Sequence, residues 1–395
     1  MSKARPVTEA DLIIGQPISD DIFDQRGTKL LAGGSIVVSE RHRDAILTRG
    51  AFFQVTQGDA TSSVEGAGQG KGAPQPLALG ALSSGIESGA STDPFELLDP
   101  VFPTLREAFK MVVESDSKGL DVLHDLAMAL ELLHQRHPAA MLGAVHLVNP
   151  FEYTVCHPVH CALLALEVAG GLNYPEARRL SLTKAALMMN VSVLDLQDHL
   201  QQQDGPLSDD QRAAMRLHPE ISAILLEDLG LQDVACLRAI RQHHERLDGE
   251  GYPVGLSGQY LSEEAQILSL CDRYGAMISS RAYRECLNPQ TILKEFYVTA
   301  GSQCTQSLIE QLIARLGIYP PGSFVLLANG ETGLVIRKGL NRLKPVVAAY
   351  ADAQGQLLES PRLYNLADQQ VDIRSVCGTG VNPSLDYGKL WQMAT

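Results

Sequence analysis

The chain has 395 residues, which is enough for two or three domains and a sizeable core. Hydrophobic residues make up 45% and charged residues 20%, the balance of an ordinary soluble protein, and no apolar run reaches the roughly 20 residues that cross a bilayer. The formal net charge of −14 excludes a general nucleic-acid backbone binder, which would carry basic patches.

Residues 1–56 have the pattern of a small α+β module. Short apolar stretches in LIIGQPISDDIFDQRGTKLLAGGSIVV are broken by glycine-containing turns, which predicts strands. The segment SERHRDAILTRG follows, with Ser39 as its N-cap and Gly50 as its stop, which predicts a helix. We interpret the module as a regulatory or docking element. Its first residues lack the apolar core of a secretory signal, so we expect a cytoplasmic protein.

Residues 57–92 are rich in Gly, Ser, Ala and Gln and show little apolar periodicity. Such a segment cannot bury enough apolar surface to offset its ordering entropy. We therefore predict a flexible linker between the N-terminal module and the rest of the chain.

Residues 93–316 have apolar positions at helical spacing, which predicts one helical domain. Predicted helices cover LDVLHDLAMALELLHQRH, AAMLGAVHLV, FEYTVCHPVHCALLALEVAGG and RRLSLTKAALMMNVSVLDLQDHL, the last as one continuous helix. Ser208 is a good N-cap for the helix that follows. The seven cysteines include no CxxC pair, so Cys161 and Cys271 are interpreted as reduced packing residues and no structural zinc site is expected.

Residues 317–395 are predicted to form a small β appendage packed on the helical domain. Apolar and polar residues alternate in FVLLANGETGLVIR and KPVVAAYADAQGQLLE, with turns at Asn329-Gly330 and Gln354-Gly355. The last residues, including Trp391, have no regular pattern and are expected to be irregular.

The stretch from His243 to Arg284 carries most of the chemistry. It opens with HHERLDGEGYPVGLSG, and Asp272, Arg281 and Arg284 follow. Neutral imidazoles and a carboxylate are good ligands for a divalent transition metal, and paired arginines suit a phosphate. Metal ligands and phosphate-type cations this close together in the chain indicate chemistry on a phosphoester.

This stretch resembles the HD-GYP family, bacterial metal-dependent phosphodiesterases that hydrolyse cyclic di-GMP. The family signature HHExxDGxGYPxGLxG is matched at every fixed position, and RAYR at 281–284 resembles the RPYR run of the family. Besides the two histidines, the matched motif positions are Glu245, Asp248, Gly249, Gly251, Tyr252, Pro253, Gly255, Leu256 and Gly258. The resemblance implies a mainly α fold: a helical HD-domain bundle, with the N-terminal module and the β appendage added to it.

An upstream element departs from the family. The family pattern AALLHDIGK supplies a His-Asp doublet for two metal ions, and here Met189 and Asn190 stand in its place. Met189 is a soft thioether, and Asn190 lacks the charge that offsets repulsion between two cations. Val193 replaces the lysine of that pattern and cannot contact a phosphate electrostatically. These changes predict impaired catalysis.

The remaining ligands can be carried over position by position. One metal position of the family would keep His157 and Asp272 but lose both doublet ligands. The other would keep His218, His243 and His244, which are enough for one divalent ion such as iron, manganese or zinc. The resemblance implies that these five side chains converge on one pocket.

A structural alternative stays open, in which the imidazoles hydrogen-bond among themselves and to Glu220 or Asp248. The resemblance also implies that Tyr252, Arg281 and Arg284 border the same pocket and hold the dinucleotide. In addition, Tyr153 stands where some family members have a glutamate that supports a third metal.

Two functions therefore compete. The first is a non-catalytic or very weakly active module of cyclic di-GMP signalling, which binds cyclic di-GMP, a related nucleotide or a partner protein. The second is an active metal-dependent phosphodiesterase that hydrolyses cyclic di-GMP to pGpG or GMP with a reduced metal site. The lost doublet favours the first.

Overall fold

The computed structural model describes residues 4–13, 18, 22–23, 29–31, 47, 52–54, 93–147, 149–203, 205–279, 287–377 and 385–393. The chain divides into two compact units. The first comprises Met1–Ala73 with Val381–Leu385, and the second Pro74–Gly380 with Asp386–Thr395.

The first unit contains a four-stranded antiparallel sheet with strand order β1-β4-β2-β3. Its strands are β1 (Ala4–Pro6), β2 (Ile22–Phe23), β3 (Lys29–Leu31) and β4 (Phe52–Gln54). Its small core consists of Val7, Leu12, Ile18, Ile22 and Phe53. Of the helix predicted from Ser39, only the helical Leu47 is described. The predicted linker, 57–92, lies outside the described residues.

The second unit is mainly helical, as the sequence predicted, and a sheet follows its helices. The longer helices are α2 (Val101–Val113), α3 (Lys118–Arg136), α4 (Pro138–His146), α5 (Tyr153–Gly171), α6 (Glu176–Met188), α7 (Leu194–Gln202), α8 (Asp209–Asp228), α9 (Val234–Gln242), α10 (Glu263–Ile278), α11 (Pro289–Val298) and α12 (Gln306–Leu316). Two short helices are α1 (Pro94–Leu98) and α13 (Tyr387–Gln392). Side-chain hydrogen bonds cap the N-termini of several helices, from Asp93 at α1, Ser208 at α8 and Ser262 at α10.

Helix α5 is the centre of this unit. Every residue from Thr154 to Ala169 is buried, because most of the helix is apolar and its neighbours cover it. Helices α6 and α10 pack against it. Polar side chains on α5 are therefore held in the interior, with little access to water.

The predicted continuous helix over residues 178–200 is wrong. Helix α6 ends at Met188, a 3-10 turn covers Val191–Val193, and α7 begins at Leu194. The Ser192 hydroxyl donates to the carbonyl of His218 at 3.2 Å and lies 2.8 Å from the Ser222 hydroxyl. These contacts to α8 hold the turn, so Met189 and Asn190 lie after the end of α6 rather than within a helix.

The C-terminal sheet is antiparallel, with strand order β8-β7-β6-β5-β9. Its strands are β5 (Phe324–Leu327), β6 (Thr332–Arg337), β7 (Val346–Ala351), β8 (Leu357–Asn365) and β9 (Ile373–Val376). Gly330 and Gly355 have φ of +89° and +79°, as the predicted turns require. Strand β6 packs against α4, so the sheet is part of the same unit as the helices.

The expectation of an irregular C-terminus is also wrong, since helix α13 ends the described chain. Trp391 is 5% exposed, and its ring meets that of Phe95 edge to face at 5.1 Å. A Cβ on Gly143 would lie 2.3 Å from the Trp391 ring, so α4 needs glycine where this ring packs. Among the described residues, no helix is both long and apolar enough to cross a membrane.

Candidate metal and nucleotide site

Two buried imidazoles face each other where α8 meets the end of α9. His218 lies on α8 and His243 directly follows α9, and the Nε2 atoms of the two rings are 3.2 Å apart. Each Nδ1 lies 2.7 Å from a backbone carbonyl, that of Met215 for His218 and that of Ile240 for His243. A carbonyl can only accept, so each Nδ1 carries the proton and each neutral ring has a lone pair on Nε2.

This arrangement suits a cation. Two lone pairs cannot hydrogen-bond to each other, and a shared positive ion removes the repulsion between them. Two nitrogen ligands of a tetrahedral ion, each at about 2.0–2.1 Å, are separated by roughly 3.3 Å, close to the observed 3.2 Å. The backbone hydrogen bonds at Nδ1 fix the tautomer and the ring orientation, as they do for metal-bound histidines.

His244 completes this cluster. Its ring centroid lies 4.0 Å from that of His243 and 5.0 Å from that of His218, and potential ligand atoms of the three side chains all lie within 4.8 Å of one another. The Tyr252 ring lies 4.6 Å from the His244 ring. The exposed Arg216 guanidinium lies 5.2 Å from the Tyr252 ring centroid.

Burial keeps these three imidazoles neutral. It lowers the pKa of His218 to about 3, and it lowers the pKa of His243 and of His244 below the ordinary value of 6.5. The neutral ring is the form that binds a metal ion. The cluster is therefore in its ligand form at neutral pH.

A second group forms where α5 meets α10. His157 Nε2 lies 2.8 Å from the Asp272 Oδ1 and 3.6 Å from the Cys161 Sγ. The Tyr153 ring stacks on His157, with centroids 4.8 Å apart. Potential ligand atoms of His157, Cys161 and Asp272 also lie within 4.8 Å of one another.

The Asp272 carboxylate links the two groups electrostatically. Burial alone would raise the pKa of Asp272, but the hydrogen bond from His157 acts in the opposite direction and the pKa is lowered. In return, Asp272 acts to raise the pKa of His218, His243 and His244 against the effect of burial. Asp272 therefore couples the His157 group electrostatically to the three-imidazole cluster.

Glu245 has a different role from that of a metal ligand. Its side chain is 1% exposed, and its oxygens accept from the backbone N–H groups of Val254 (2.8 Å), Gly255 (3.0 Å) and Leu256 (2.9 Å). A carboxylate that accepts several amide bonds is strongly held. Glu245 therefore fixes the loop that follows Tyr252 and Pro253.

The glycines of this loop are required by close approach and by backbone conformation. A Cβ on Gly251 would lie 2.5 Å from the Arg246 nitrogen and 2.5 Å from the Glu245 Cα. Gly249 and Gly255 have φ of +78° and +81°, in the left-handed region that favours glycine.

The carboxylates of the structural alternative are engaged elsewhere. Glu220 accepts from Arg241 Nε at 3.1 Å, and Asp248 pairs with Arg246 and accepts from the Glu250 backbone at 3.0 Å. No hydrogen bond from an imidazole to Glu220 or Asp248 occurs among the described residues. The Nε2 atoms of His218 and His243 are only 3.2 Å apart, but with both protons on Nδ1 this pair is not the hydrogen bond between imidazoles that the alternative expected.

The residues that replace the family doublet are buried. Met189 is 0%, Asn190 3% and Val193 6% exposed, around the 3-10 turn held by Ser192 on α8. They place a thioether, a neutral amide and an aliphatic side chain at the positions of the doublet and its lysine. Arg281 and Arg284, expected to hold phosphate, lie outside the described residues.

Two residues of this region were missed by the sequence reasoning. Arg216 precedes His218 by two positions, and nothing in its spacing marked it, because its contact with Tyr252 is tertiary. Cys161 is four residues after His157, a spacing that puts both on one helix face and could have been noticed. His160, one turn before Leu164 on α5, is 6% exposed, and neither ring nitrogen has a hydrogen-bond partner within the described part of the chain.

Comparison with known proteins identifies similar sequences. Residues 132–303 match the model of the HD domain family. The chain is 29% identical to a cyclic di-GMP phosphodiesterase of Pseudomonas aeruginosa over 61% of its length and 58% of the relative's. It is 32% identical to the cyclic di-GMP phosphodiesterase response regulator RpfG of Xanthomonas campestris pv. campestris, over 39% of this chain and 40% of that protein.

A solved structure, an HDG"Y"P protein from Bdellovibrio bacteriovorus, has a TM-score of 0.49 and 16% sequence identity to this chain, with 78% of this chain and 98% of that one covered. The chain spans about half the length of the curated relatives it matches. The HD domain match covers both clusters, and the complete signature begins at His243 and His244. Residues 132–303 are therefore similar to the HD domain family and the chain is similar to cyclic di-GMP phosphodiesterases, with Met189 and Asn190 where the HD-GYP pattern has its His-Asp doublet.

Proposed function

We propose that this protein is a cyclic di-GMP signalling module that binds the nucleotide and turns it over very weakly or not at all. The proposal rests on one observation: within the same region, some of the expected ligands are present and the charge of the doublet is missing. The His218–His243–His244 cluster and the loop held by Glu245 are complete, whereas Asn190 brings no charge to the doublet position. Cyclic di-GMP is the proposed ligand because the similar proteins are named as cyclic di-GMP phosphodiesterases.

The imidazole cluster would hold one divalent ion. Such an ion supplies a positive charge that polarises a phosphoryl oxygen. Three neutral imidazoles bring no negative charge of their own, and Asn190 adds none. The proposed ions are iron, manganese or zinc, which imidazole ligands suit.

The loop and the arginines would hold the nucleotide. The Tyr252 ring, placed by the Glu245-bound loop, offers an aromatic face for a guanine base. Arg216 is exposed and makes no ion pair with a carboxylate among the described residues, so its guanidinium is available to a phosphate. Arg281 and Arg284 are proposed as further phosphate ligands from the family resemblance.

The alternative is an active phosphodiesterase that works with the reduced metal site. The paired Nε2 lone pairs of His218 and His243 favour it, because they are already oriented for an ion. The missing negative charge at Asn190 argues against this alternative. Removing one electrostatic contact to a transition state typically costs about 10²–10³ in rate. We therefore propose the binding module first.

Calorimetric titration with cyclic di-GMP tests the binding half of the proposal. Losing one arginine–phosphate contact should cost about 1.5–3 kcal/mol, so Arg216→Ala should weaken affinity roughly 10- to 100-fold. The Arg281→Ala, Arg284→Ala double variant should lose most of the affinity.

Arg212→Ala is the matched control, because Arg212 is exposed on the same helix, about one turn before Arg216, and pairs with Asp209. It should bind as the unmodified protein does. The absence of heat from cyclic di-GMP with the unmodified protein, or unchanged affinity in the double variant, would refute the proposed binding mode.

A further inference from the structure

The loop that connects β6 and β7 exposes two leucines. Leu340 is fully exposed, more than any other large hydrophobic side chain among the described residues, and Leu343 is 58% exposed. Single exposed apolar side chains are normal on protein surfaces, whereas apolar side chains that are grouped together mark an interaction surface. Two leucines within four residues of one loop form such a group.

Hydrogen bonds hold this loop in a defined turn. The Lys344 N–H donates to the Asn341 carbonyl at 2.9 Å, and the Leu343 N–H donates to the Asn341 side-chain oxygen, also at 2.9 Å. A Cβ on Gly339 would lie 1.9 Å from the Lys344 carbonyl oxygen, so the two sides of the loop are in close contact. The leucines are therefore presented to solvent by a hydrogen-bonded turn.

The same loop is basic. The eight residues RKGLNRLK that begin at Arg337 contain four cations and no carboxylate, in a chain whose formal net charge is −14. Arg337 and Arg342 are exposed, and neither pairs with a carboxylate among the described residues. Lys338 donates to a backbone carbonyl at 3.0 Å, and Lys344 pairs with Asp372 at 2.6 Å. The two arginines thus place unneutralised positive charge beside the exposed leucines.

We propose that this loop attaches the protein to an anionic lipid surface. Leu340 and Leu343 insert at the boundary between headgroups and acyl chains, and Arg337 and Arg342 contact the lipid phosphates. Apolar side chains next to cations are the combination by which interfacial segments bind anionic membranes. The aliphatic stems of the arginines can lie along the apolar layer while their guanidinium groups stay at the phosphates.

Another group of exposed aliphatic side chains, on α8, has the opposite charge around it. Ile221 and Ile224 are 47% and 45% exposed. The segment from Glu220 to Asp228 contains three carboxylates and no lysine or arginine. An anionic surface would repel this segment. Exposed aliphatic side chains occur at both places, and the cations beside Leu340 are what select the loop for an anionic membrane.

The chemistry of the loop fits a membrane better than a nucleic acid. The segment RKGLNRLK has no aromatic side chain on which a base could stack. A phosphate backbone also offers no apolar layer for the two leucines. The net charge of −14 does not prevent the contact, because charges more than about 8–10 Å from the membrane surface are largely screened at physiological salt.

Cosedimentation of the full-length protein with vesicles tests the proposal. We expect binding to vesicles of phosphatidylglycerol mixed with phosphatidylcholine, and much weaker binding to phosphatidylcholine alone. Each cation near an anionic membrane contributes about fivefold in affinity, so the double variant Arg337→Glu, Arg342→Glu should bind at least about 25-fold more weakly. The double variant Leu340→Ser, Leu343→Ser should bind at least about tenfold more weakly, because it removes the inserted aliphatic groups.

Two double variants elsewhere in the same unit are the matched controls. Ile221→Ser, Ile224→Ser removes two exposed aliphatic side chains from α8, and Lys110→Glu, Lys294→Glu reverses two exposed cations on α2 and α11. Both should bind the mixed vesicles as the unmodified protein does, and a loss equal to that of the loop variants would overturn the proposal.

Tryptophan fluorescence of Leu340→Trp measures insertion directly. Trp391 is the one tryptophan of the chain and is 5% exposed, so a blue shift on adding the mixed vesicles reports on position 340. The proposal is overturned if the unmodified protein does not bind these vesicles, if the leucine variant binds as tightly as the unmodified protein, or if no blue shift occurs. Neither measurement includes cyclic di-GMP or a metal ion, so its outcome is independent of the proposed function.

Discussion

Replacing Glu245 by glutamine should loosen the loop after Tyr252 while leaving the helices folded. The carboxylate accepts from three backbone N–H groups, those of Val254, Gly255 and Leu256, at 2.8–3.0 Å. Glutamine keeps one acceptor oxygen and turns an NH₂ group toward the remaining amides. The substitution therefore removes the charge and leaves at least one amide facing another donor.

The magnitude follows from the number and kind of bonds. Hydrogen bonds to a charged group contribute about 1.5–3 kcal/mol each, and an unsatisfied donor costs a similar amount. Because glutamine keeps part of the network, we expect the loop to lose about 2–3 kcal/mol of local stability. That loss corresponds to a roughly 30- to 150-fold increase in local opening.

Hydrogen exchange of the backbone amides at 254–256 measures this opening directly. The Val254 side chain is 73% exposed, so burial of the side chain does not explain protection of its amide. We expect Glu245→Gln to speed exchange at these three amides by the factor above. Exchange within α5, whose residues are buried, should change far less.

Glu250→Gln is the control in the same loop. The Glu250 side chain is 75% exposed and lies 3.5 Å from Arg246, a weak surface pair. It should leave the three amides protected. Unchanged exchange at 254–256 in Glu245→Gln, or an equal increase in Glu250→Gln, would refute the role given to Glu245.

Three further predictions concern packing, pH and metal content. Gly251→Ala should lower the thermal unfolding midpoint, because the added Cβ would lie 2.5 Å from the Glu245 Cα. Overpacking of this kind costs about 1–3 kcal/mol, and an unchanged midpoint would contradict the close contact. Burial would raise the pKa of Glu167, but its basic partners have the larger effect and lower this pKa below 4.5. The stability that the Glu167 carboxylate contributes above about pH 4.5 should therefore be lost as the pH falls further. Urea unfolding across this range should show a shallower fall in Glu167→Gln, and parallel curves would argue against the carboxylate's role. Restoring the doublet with Met189→His and Asn190→Asp should raise the metal content of the purified protein, and unchanged content would mean that these positions do not face the ions.

The loop from His243 to Gly258 was predictable in detail, because its constraints are local. Gly251 must be glycine since its own chain, at Glu245 and Arg246, leaves no room for a Cβ. Gly249 and Gly255 adopt positive φ within the loop. These constraints act between residues that are close together in the chain, so a short sequence motif contains them.

The end of α6 was not predictable from its own residues. The segment ALMMNVSVLDL contains no glycine or proline, and its apolar pattern continues through the break. The turn is held by contacts of Ser192 with His218 and Ser222, which lie about 30 residues away. A tertiary contact therefore overrides the local helical pattern.

The C-terminal helix and the His157–Asp272 contact depend on distant partners in the same way. Trp391 is buried against Phe95 and Gly143, and neither partner can be read from the residues around Trp391. Asp272 approaches His157 from α10, 115 residues further along the chain, and nothing in either local segment reports that contact.

We propose that this chain keeps the nucleotide and metal ligands of the HD-GYP pattern without an effective catalytic centre. Chromatographic detection of linear pGpG and GMP from cyclic di-GMP, with manganese or iron added to the unmodified full-length protein, tests it most directly. We predict product at or near the background level, because Asn190 brings no negative charge to hold two ions and Val193 no cation to face the phosphate. Robust, metal-dependent formation of pGpG or GMP would contradict the claim and would mean that the three-imidazole site suffices for catalysis.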